Sequence, residues 1–320
     1  MKYYIGIDLG GTNIRAALLR EDNKVIKISK EKTEPSKDPR KVALQTSRLI
    51  EDLQFNTTIK DNLAGVCIGL AGLLSPDGQT VKIGPNFGWR DVPFANLVKK
   101  NINTPLFIVN DLTAVAYGEF VIGAGRGSKN MFCVYVGSGI GSALIIDGKP
   151  YDGSSNVAGE LGHIKLREGG RMCGCGSHGC LEAYTGGNSV RQRLIELAKI
   201  DKKGFLNKAV SGKLERLNFS FVEKGYKKRD ALCSAIWSEI RFLLASSIAN
   251  VVTIFNPDCV VLGGGAIVNT PLLLNAIMED IRRYATSPSC SVLKIKKAAL
   301  GDDAGMIGAA LLIKEKLNLT

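Results

Sequence analysis

Three cysteines and one histidine, residue types that bind zinc, are grouped in one short segment of the chain. His163 is followed by Cys173, Cys175 and Cys180. Three thiolates and one imidazole suit a closed tetrahedral zinc site. The alternative is a redox-active pair at Cys173 and Cys175, but Cys-x-Cys lacks the Cys-x-x-Cys spacing and would leave His163 without a role. The segment therefore predicts a structural zinc ion held by all four residues.

Side chains that could bind the hydroxyl groups of a sugar lie beside this segment and ahead of it. Glu160 and Glu182 flank the predicted zinc ligands. Asn86 lies in a turn rich in glycine and proline, and Asn110 follows a strand-like run. A buried hydroxyl without a partner is costly, so sugar sites collect such groups. We expect these four side chains to form a site for a polyhydroxylated ligand.

A glycine turn near the amino end is enclosed by two apolar runs. Gly10, Gly11 and Thr12, called here the first glycine loop, separate residues 3–9 from residues 14–19, which predicts a β-hairpin. Glycines let backbone amides approach a phosphate closely, and the Thr12 hydroxyl adds a donor. Asp8, at the end of the first run, could hold Mg²⁺ through water. A hairpin turn without a ligand is the plainer alternative.

Residues 131–148 repeat this design. Gly137, Ser138 and Gly139, the second glycine loop, lie between two more apolar runs. Gly-x-Gly-x-Gly can also mark a dinucleotide-binding turn, but that turn requires a helix after the glycines, whereas a second β-rich run follows here. Two such hairpins predict a duplicated architecture that clamps a phosphate chain between its halves.

A third glycine cluster, residues 263–265, follows the strand-like run 259–262. Glycines at the end of a strand let a flat ring lie against bare backbone, so Gly264 and Gly265 could form an adenine pocket. A tight turn between a strand and a helix is the alternative.

Asp111 stands where α/β proteins commonly place reactive groups. Residues 105–109 read as a strand and residues 112–119 as a helix. Asp111 could simply cap that helix. Beside two phosphate loops, a general base that accepts a hydroxyl proton is the better interpretation, because phosphoryl transfer needs little more than positioning and charge neutralisation.

Composition and charge exclude several classes of protein. With 45% hydrophobic and 22% charged residues, the 320-residue chain is an ordinary globular protein, long enough for two domains. The net charge is +12, and residues 201–230 contribute a surplus of five positive charges at spacings compatible with a solvated helix face, so we expect no nucleic-acid binding. The charge-free run 242–257 contains serine, asparagine and threonine, which predicts a buried helix and no membrane span.

The remaining cysteines indicate the compartment. Outside the zinc segment they stand singly in apolar stretches, as reduced core residues do. The chain also opens directly on a strand-like run, without the pattern of a signal peptide. Both observations favour a reducing, cytoplasmic setting.

Taken together, the motifs resemble those of the ROK family of sugar kinases, within the actin/hexokinase-like ATPase superfamily. The resemblance covers nearly the whole chain. Residues 8–12 match the first phosphate motif of the family, and residues 137–141 match the second, with Ser138 where threonine is more usual. Asn110 and Asp111 match the catalytic motif, although residues 112–113 differ from the small and amide residues common there.

The zinc segment completes the resemblance. Glu160-Leu-Gly-His163 matches the Glu-x-Gly-His motif, and the three cysteines match the zinc motif. The resemblance implies that Asp111 is the general base and that His163 contacts sugar as well as zinc. The implied sugar contacts are Gly72, Asn86, Asn110, Asp111, Glu160, His163 and Glu182. The implied contacts to Mg-ATP are Asp8, Gly10, Gly11, Thr12, Gly137, Ser138, Gly139, Gly264 and Gly265.

The family's architecture is an α/β fold, the two-domain actin/hexokinase-like (ribonuclease H-like) ATPase fold, with a duplicated β-sheet core and an interdomain cleft. It implies a small domain at residues 1–112, completed by a carboxyl-terminal helix at 303–320. The large domain, 113–302, would carry the zinc loop, sugar residues and adenosine site. Family members often form dimers or tetramers, so a homo-oligomer is implied.

The implied activity is the ATP-dependent phosphorylation of a hexose hydroxyl. Residues 85–93 are more similar to the glucokinases of the family, which favours conversion of glucose to glucose 6-phosphate. Mannose, fructose, allose, N-acetylglucosamine, N-acetylmannosamine and a donor such as polyphosphate stay open, because selectivity depends on loops near Gly72, Asn86 and Glu182.

Transcriptional repressors with the same zinc site are the alternative from another class. They carry an amino-terminal helix-turn-helix extension, whereas the first strand is expected here near residue 3. Both phosphate loops and the base are also present, so a kinase is favoured.

Overall fold

The computed structural model describes residues 1–54 and 57–318, which form a mixed α/β protein. The strands are β1 Tyr3–Leu9, β2 Asn13–Arg20, β3 Val25–Lys32, β4 Leu63–Leu70, β5 Leu73–Leu74, β6 Val81–Gly84, β7 Trp89–Val92, β8 Leu106–Asn110, β9 Met131–Val136, β10 Ile140–Ile146, β11 Lys149–Pro150, β12 Cys259–Gly263 and β13 Lys294–Lys297. The helices are α1 Pro39–Leu53, α2 Thr57–Asp61, α3 Phe94–Lys99, α4 Asp111–Val121, α5 Glu182–Thr185, α6 Gly187–Ile200, α7 Phe205–Ala209, α8 Ser220–Lys227, α9 Ala231–Phe255, α10 Gly265–Val268, α11 Pro271–Tyr284, α12 Ser287–Cys290 and α13 Ala304–Asn318.

The same strand order occurs in two five-stranded sheets. The first sheet runs β3-β2-β1-β4-β8 and the second runs β11-β10-β9-β12-β13. In the first, β1 pairs antiparallel with β2 and parallel with β4, which pairs parallel with β8. In the second, β12 pairs parallel with both β9 and β13. The predicted hairpins and the duplicated sheet core are therefore confirmed.

The first compact unit comprises residues 1–128, 143–159 and 298–320. Its core consists of the apolar face of the first sheet and the buried sides of α1 and α3. On the other side α13 packs against α4 and β1. Gly118 of α4 meets Gly308 of α13 so closely that neither position has room for a Cβ atom.

This packing explains why the unit extends past the boundary expected at residue 112. Because α4 lies along α13, the whole helix stays with the first sheet. The carboxyl-terminal helix begins at Ala304; residues 319 and 320 of the expected helix lie outside the described residues.

The second compact unit comprises residues 129–142 and 160–297. Helix α9 begins at the cap Asp230 and packs against α8 and α11. Arg241 on α9 donates to both carboxylate oxygens of the buried Asp280 on α11, at 2.6 and 2.9 Å. Two-point pairing of this kind fixes the angle between two helices better than a single contact does.

Among the described residues, α9 alone is long and apolar enough to cross a membrane by length and composition. In its most apolar window, 44% is buried within the protein. The helix expected in the run 242–257 is present and ends at Phe255, with burial on one side only. One face of α9 lies in the core, whereas Phe242 and Ile254 are 54% and 74% exposed, because a helix at the surface of a unit buries only one side.

Candidate functional site

The carboxyl ends of three parallel strands bring several predicted site residues to one edge of the first sheet. Leu9 of β1 is in register with Leu70 of β4, and Leu70 is in register with Asn110 of β8. The first glycine loop, the segment that contains Gly72, and Asp111 follow these three positions directly. This is the edge at which open α/β sheets bind ligands.

The first glycine loop is a tight turn that closes on itself. The Gly10 amide donates to the Asn13 carbonyl oxygen at 3.0 Å, and Thr12 is exposed at the tip. Gly11 packs on the turn that carries Asn86: a methyl group on Gly11 would come within 2.8 Å of the Asn86 carbonyl oxygen. The predicted phosphate loop and the predicted sugar residue are therefore direct neighbours.

Asp8 lies beside this loop in a partly buried position. Burial raises the pKa of its carboxyl, the guanidinium of Arg15 lowers that pKa, and Asp302 raises it again. Arg15 is the cross-strand partner of Asp8 and donates to the carbonyl and the carboxylate of Asp302 at 2.8 and 3.0 Å. A carboxylate oxygen held here, beside Gly305 at the start of α13, is a suitable ligand for a hard cation such as Mg²⁺.

Asn110, and not Asp111, caps helix α4. Its side-chain oxygen accepts from the amides of Leu112 and Thr113 at 2.8 and 3.4 Å, and its nitrogen donates to the Gly72 carbonyl at 3.3 Å. Asp111 is the first residue of the helix, with one carboxylate oxygen 3.0 Å from the Leu112 amide. Since Asn110 already caps the helix, the capping alternative for Asp111 is wrong. An acidic group in the first turn is also favoured by the helix dipole.

The second glycine loop is held from behind by helix α6. The carbonyls of Gly137 and Ser138 accept from the amides of Gly187 and Asn188 at 3.1 and 2.7 Å. The C=O and N–H of one trans peptide unit point in opposite directions. The amides of Ser138 and Gly139 therefore point away from α6. Adjacent amides oriented together form a site suited to a phosphate.

Glu182 joins the second glycine loop to the cysteine cluster. One of its carboxylate oxygens accepts from the Ile140 amide at 2.7 Å, and the other lies 3.7 Å from the Sγ atom of Cys173. Gly139 has no space for a Cβ atom because the same carboxylate occupies it. If Glu182 contacts a sugar, the same side chain also packs on the second glycine loop.

The four predicted zinc ligands converge. One donor atom from each of His163, Cys173, Cys175 and Cys180 lies within 4.8 Å of the others. The Sγ atoms of Cys175 and Cys180 are 3.8 Å apart, and Cys173 Sγ is 3.7 Å from His163 Nδ1. With Zn–S bonds of about 2.3 Å, the edge of a tetrahedron is about 3.8 Å. The cluster fits a tetrahedral zinc ion, and the convergence of His163 is not explained by a redox pair.

Neighbouring groups support the cluster. Lys165 donates to Cys180 Sγ at 3.0 Å, which would balance the charge of a thiolate. His163 directs Nε2 toward Glu160, 3.8 Å away, so Nδ1 faces the cysteines. Partial burial raises the pKa of Glu160, His163 lowers it and Glu182 raises it. A carboxylate behind a metal-binding histidine commonly fixes the orientation of its ring.

The third glycine cluster has a local structural explanation beside the predicted adenine contact. The ring of Tyr135 occupies the space that a Cβ atom on Gly263 would need. Gly264 has φ 91°, a conformation that favours glycine, and α10 begins at Gly265. The β–α turn interpretation is therefore confirmed, and the adenine contact of Gly264 and Gly265 stays a prediction.

Sequence reasoning missed the support for both loops. Gly186 and Gly187, the cap and first residue of α6, form a paired-glycine signal that could have been recognised; the contact of Gly187 with Gly137 requires a residue without a side chain. Arg15 could have been placed opposite Asp8 by counting along the predicted hairpin.

The predicted residues come together within each unit. The first unit brings together Asp8, the first glycine loop, Gly72, Asn86, Asn110 and Asp111. The second unit brings together the second glycine loop, Glu160, Glu182 and the predicted zinc ligands.

Comparison with known proteins gives consistent results. The chain is 30% identical to a glucokinase of Halalkalibacterium halodurans over 99% of this chain and 96% of that protein. It is 29% identical to a xylose repressor of Caldicellulosiruptor bescii, over 98% of this chain and 79% of that protein. A ROK family glucokinase from Streptomyces griseus, solved in complex with glucose and AMPPNP, superposes with a TM-score of 0.79, at 28% identity over 97% of this chain and 98% of that one.

These similarities establish the fold as the actin/hexokinase-like α/β type expected from the sequence. The model that describes the ROK family matches residues 4–316, nearly the whole chain. The protein therefore belongs to the ROK family.

Proposed function

We propose that this protein transfers the γ-phosphoryl group of ATP to a hydroxyl of a hexose, with glucose as the first candidate and glucose 6-phosphate as the product. The observation that supports this best is the register of β1, β4 and β8. It brings the first glycine loop, Gly72 and Asp111 to one edge of the sheet. Similarity to glucokinases over nearly the whole chain supports the same activity.

Asp111 would act as the general base. Its carboxylate would accept the proton of the attacking hydroxyl as the oxygen bonds to the γ-phosphorus and the bond to the β-phosphate oxygen breaks. Asn86, Asn110, Glu160, His163 and Glu182 would hold the sugar hydroxyls. The amides of the two glycine loops would hold the phosphates, and Gly264 with Gly265 the adenosine.

Two metal ions belong to the proposal. Mg²⁺ would neutralise phosphate charge near Asp8, which offers a partly buried carboxylate. Zinc would cross-link the segment from His163 to Cys180 without taking part in the chemistry. We also place the protein in the cytoplasm, as a homo-oligomer that binds no nucleic acid. All eight cysteines lie in the part of the chain that the structure describes, and there they are free thiols, which fits a reducing compartment.

A coupled assay with Mg-ATP tests the proposal. Purified protein is offered glucose, mannose, fructose, N-acetylglucosamine and N-acetylmannosamine in parallel, and Asp111→Asn serves as the control for contaminating kinases. Turnover that prefers glucose and is lost in the variant supports a glucokinase. Preference for another sugar changes the substrate and keeps the reaction.

A sugar-sensing regulator without kinase activity is the second candidate, because the chain is also similar to a xylose repressor. It predicts that none of the five sugars is phosphorylated although at least one binds, as measured by titration calorimetry. That combination would replace the enzyme proposal.

A further inference from the structure

A buried threonine that no motif identifies lies directly behind the first glycine loop. Thr33, 5% exposed, follows β3. Its hydroxyl donates to the Gly10 carbonyl at 2.6 Å, and its amide donates to the Thr12 carbonyl at 3.0 Å. Two of the three loop carbonyls are thus bonded to one residue.

The orientation of the loop amides follows from these two bonds. In a trans peptide the N–H points opposite to the C=O of the same unit. The bond to Gly10 therefore turns the Gly11 amide away from Thr33, and the bond to Thr12 does the same for the Asn13 amide. The Gly11 amide belongs to the first glycine loop, so Thr33 would set the direction of one donor that is proposed to hold phosphate.

Helix α1 holds Thr33 itself in place. The side-chain amide of Gln45 donates to the Lys32 carbonyl at 2.8 Å and accepts from the Glu34 amide at 2.9 Å. Both neighbours of Thr33 are thereby tied to a packed helix. Because the residues before and after Thr33 are both bonded to α1, Thr33 restricts the motion of the first glycine loop more than a threonine on an unbonded segment would.

The same segment reaches the Asn86 turn. The Nζ atom of Lys37 donates to the Asn86 carbonyl at 2.5 Å, and the Nε1 atom of the buried Trp89 donates to the Lys37 carbonyl at 2.7 Å. Gly11 contacts Asn86 directly. Residues 33–37 therefore connect the phosphate loop and the predicted sugar residue by a second route.

We propose that Thr33 and Lys37 are positioning residues: Thr33 aligns the first glycine loop for the phosphates of ATP, and Lys37 holds Asn86 for the sugar. This inference rests on the proposed kinase function. It assigns a positioning role to the connection between β3 and α1.

Four single variants and one rescue variant test it in the full-length protein. Thr33→Val removes the hydroxyl, and Thr33→Ser restores it. The matched control is Thr46→Val, which deletes an equally buried hydroxyl bonded to the Val42 carbonyl within α1. Lys37→Met is matched by Lys27→Met, since Lys27 also donates to a backbone carbonyl, that of Asp52.

The Thr33→Val variant should raise the KM for ATP, and the Kd for AMPPNP measured by calorimetry, about 3- to 10-fold, as loss of one hydrogen bond does. Its KM for sugar should stay within about twofold, and Thr33→Ser should return to wild type. Lys37→Met should instead raise the KM for sugar about 3- to 10-fold. Amide exchange in peptides 10–13 and 86–88 should be faster in the respective variants and unchanged in both controls.

Several results would overturn the inference while the kinase function stands. These are KM values that match the controls, equal effects on ATP and sugar, no rescue by serine, or faster exchange with unchanged ligand affinity. If the wild-type protein neither binds AMPPNP nor phosphorylates a sugar, the proposed function itself fails. Unchanged exchange in peptides 10–13 and 86–88 would then also remove Thr33 and Lys37 as supports of the loop and the turn.

Discussion

The two glycine loops use the same backbone design with different supports. Each joins two strands at corresponding places in sheets of the same order. In each loop, two backbone carbonyls accept hydrogen bonds from residues on one side. The amides of the same peptide units therefore point to the opposite side. Thr33 supplies these bonds to the first loop, whereas the amino end of α6 supplies them to the second.

The residues that precede the loops also differ. Asp8 stands two positions before Gly10, and Tyr135 stands two positions before Gly137. Asp8 brings a carboxylate to the first loop, while Tyr135 packs its ring on Gly263. Corresponding positions therefore differ: Asp8 carries a charge, whereas Tyr135 packs. A duplicated framework fixes where a loop lies, and its neighbours determine what the loop can do.

The predicted zinc cluster gives the largest expected difference between the loops, because Glu182 contacts Cys173 and also accepts from the Ile140 amide directly after the second glycine loop. Cys175→Ser should lower the metal content from about one zinc per chain to near zero. Structural zinc contributes on the order of 10 kcal/mol in small sites, so the melting temperature should fall strongly. Elemental analysis and calorimetry measure both effects.

Cys290→Ser is the control, since Cys290 lies outside the cluster. It should keep its zinc and its melting temperature. A Cys175→Ser protein that is metal-free, stable and unchanged in its KM for ATP would show that the cluster does not support the second loop.

Replacing the proposed base should affect turnover and leave both loops intact. Asp111→Asn should lower kcat by about 10²- to 10⁴-fold, because the attacking hydroxyl loses its proton acceptor. The KM values for ATP and sugar should change little. Steady-state kinetics measures this, with Asp38→Asn, which alters the cap of α1, as the control. Near-normal turnover would remove Asp111 from the role of base.

Glu182→Ala should disturb the second glycine loop and leave the first unchanged. The Ile140 amide would lose its acceptor, at a cost of about 1–3 kcal/mol, so kcat/KM for ATP should fall about 10- to 100-fold. Glu196→Ala, on the exposed side of α6, should behave like wild type. If only the KM for sugar changes, Glu182 is a sugar ligand and not a support of the second loop.

The smallest effect concerns Asp8, the carboxylate two positions before the first glycine loop. The folded-state pKa of Asp8 is raised by burial, so the folded protein holds the Asp8 proton more tightly than the unfolded chain. Without metal, its contribution to stability should therefore decrease as pH rises from about 4, the unfolded pKa, through the raised folded pKa. Asp8→Asn should remove this decrease in urea unfolding measured across pH.

Asp22 gives a control of opposite sign. Its pKa is lowered to about 2, mainly by its hydrogen bond with Arg20, so its contribution should be lost only as pH falls toward 2. Asp22→Asn should alter the acid end of the curve alone. A wild-type curve that rises with pH above 4 and that Asp8→Asn leaves unchanged would contradict the assignment for Asp8.

The sequence by itself determined features that depend on neighbouring residues. Alternating apolar runs around Gly10 and Gly137 specify hairpins, because strand pairing across a short turn is a local event. The types and spacing of His163 and the three cysteines likewise predict a metal site, because all four residues lie in one short segment. The position of Asp111 followed from the adjacent strand and helix.

Only the tertiary structure decided which groups stand behind these motifs. Thr33 donates to the Gly10 carbonyl, and the Gly187 amide donates to the Gly137 carbonyl. Every residue has a backbone carbonyl, so the sequence does not indicate which carbonyls accept these bonds. Asn110, and not Asp111, caps helix α4, and Glu182 accepts a hydrogen bond from the Ile140 amide. Such contacts depend on how separate helices and strands pack together. A motif indicates which residues can do chemistry, but their orientation is set by partners that are distant in the chain.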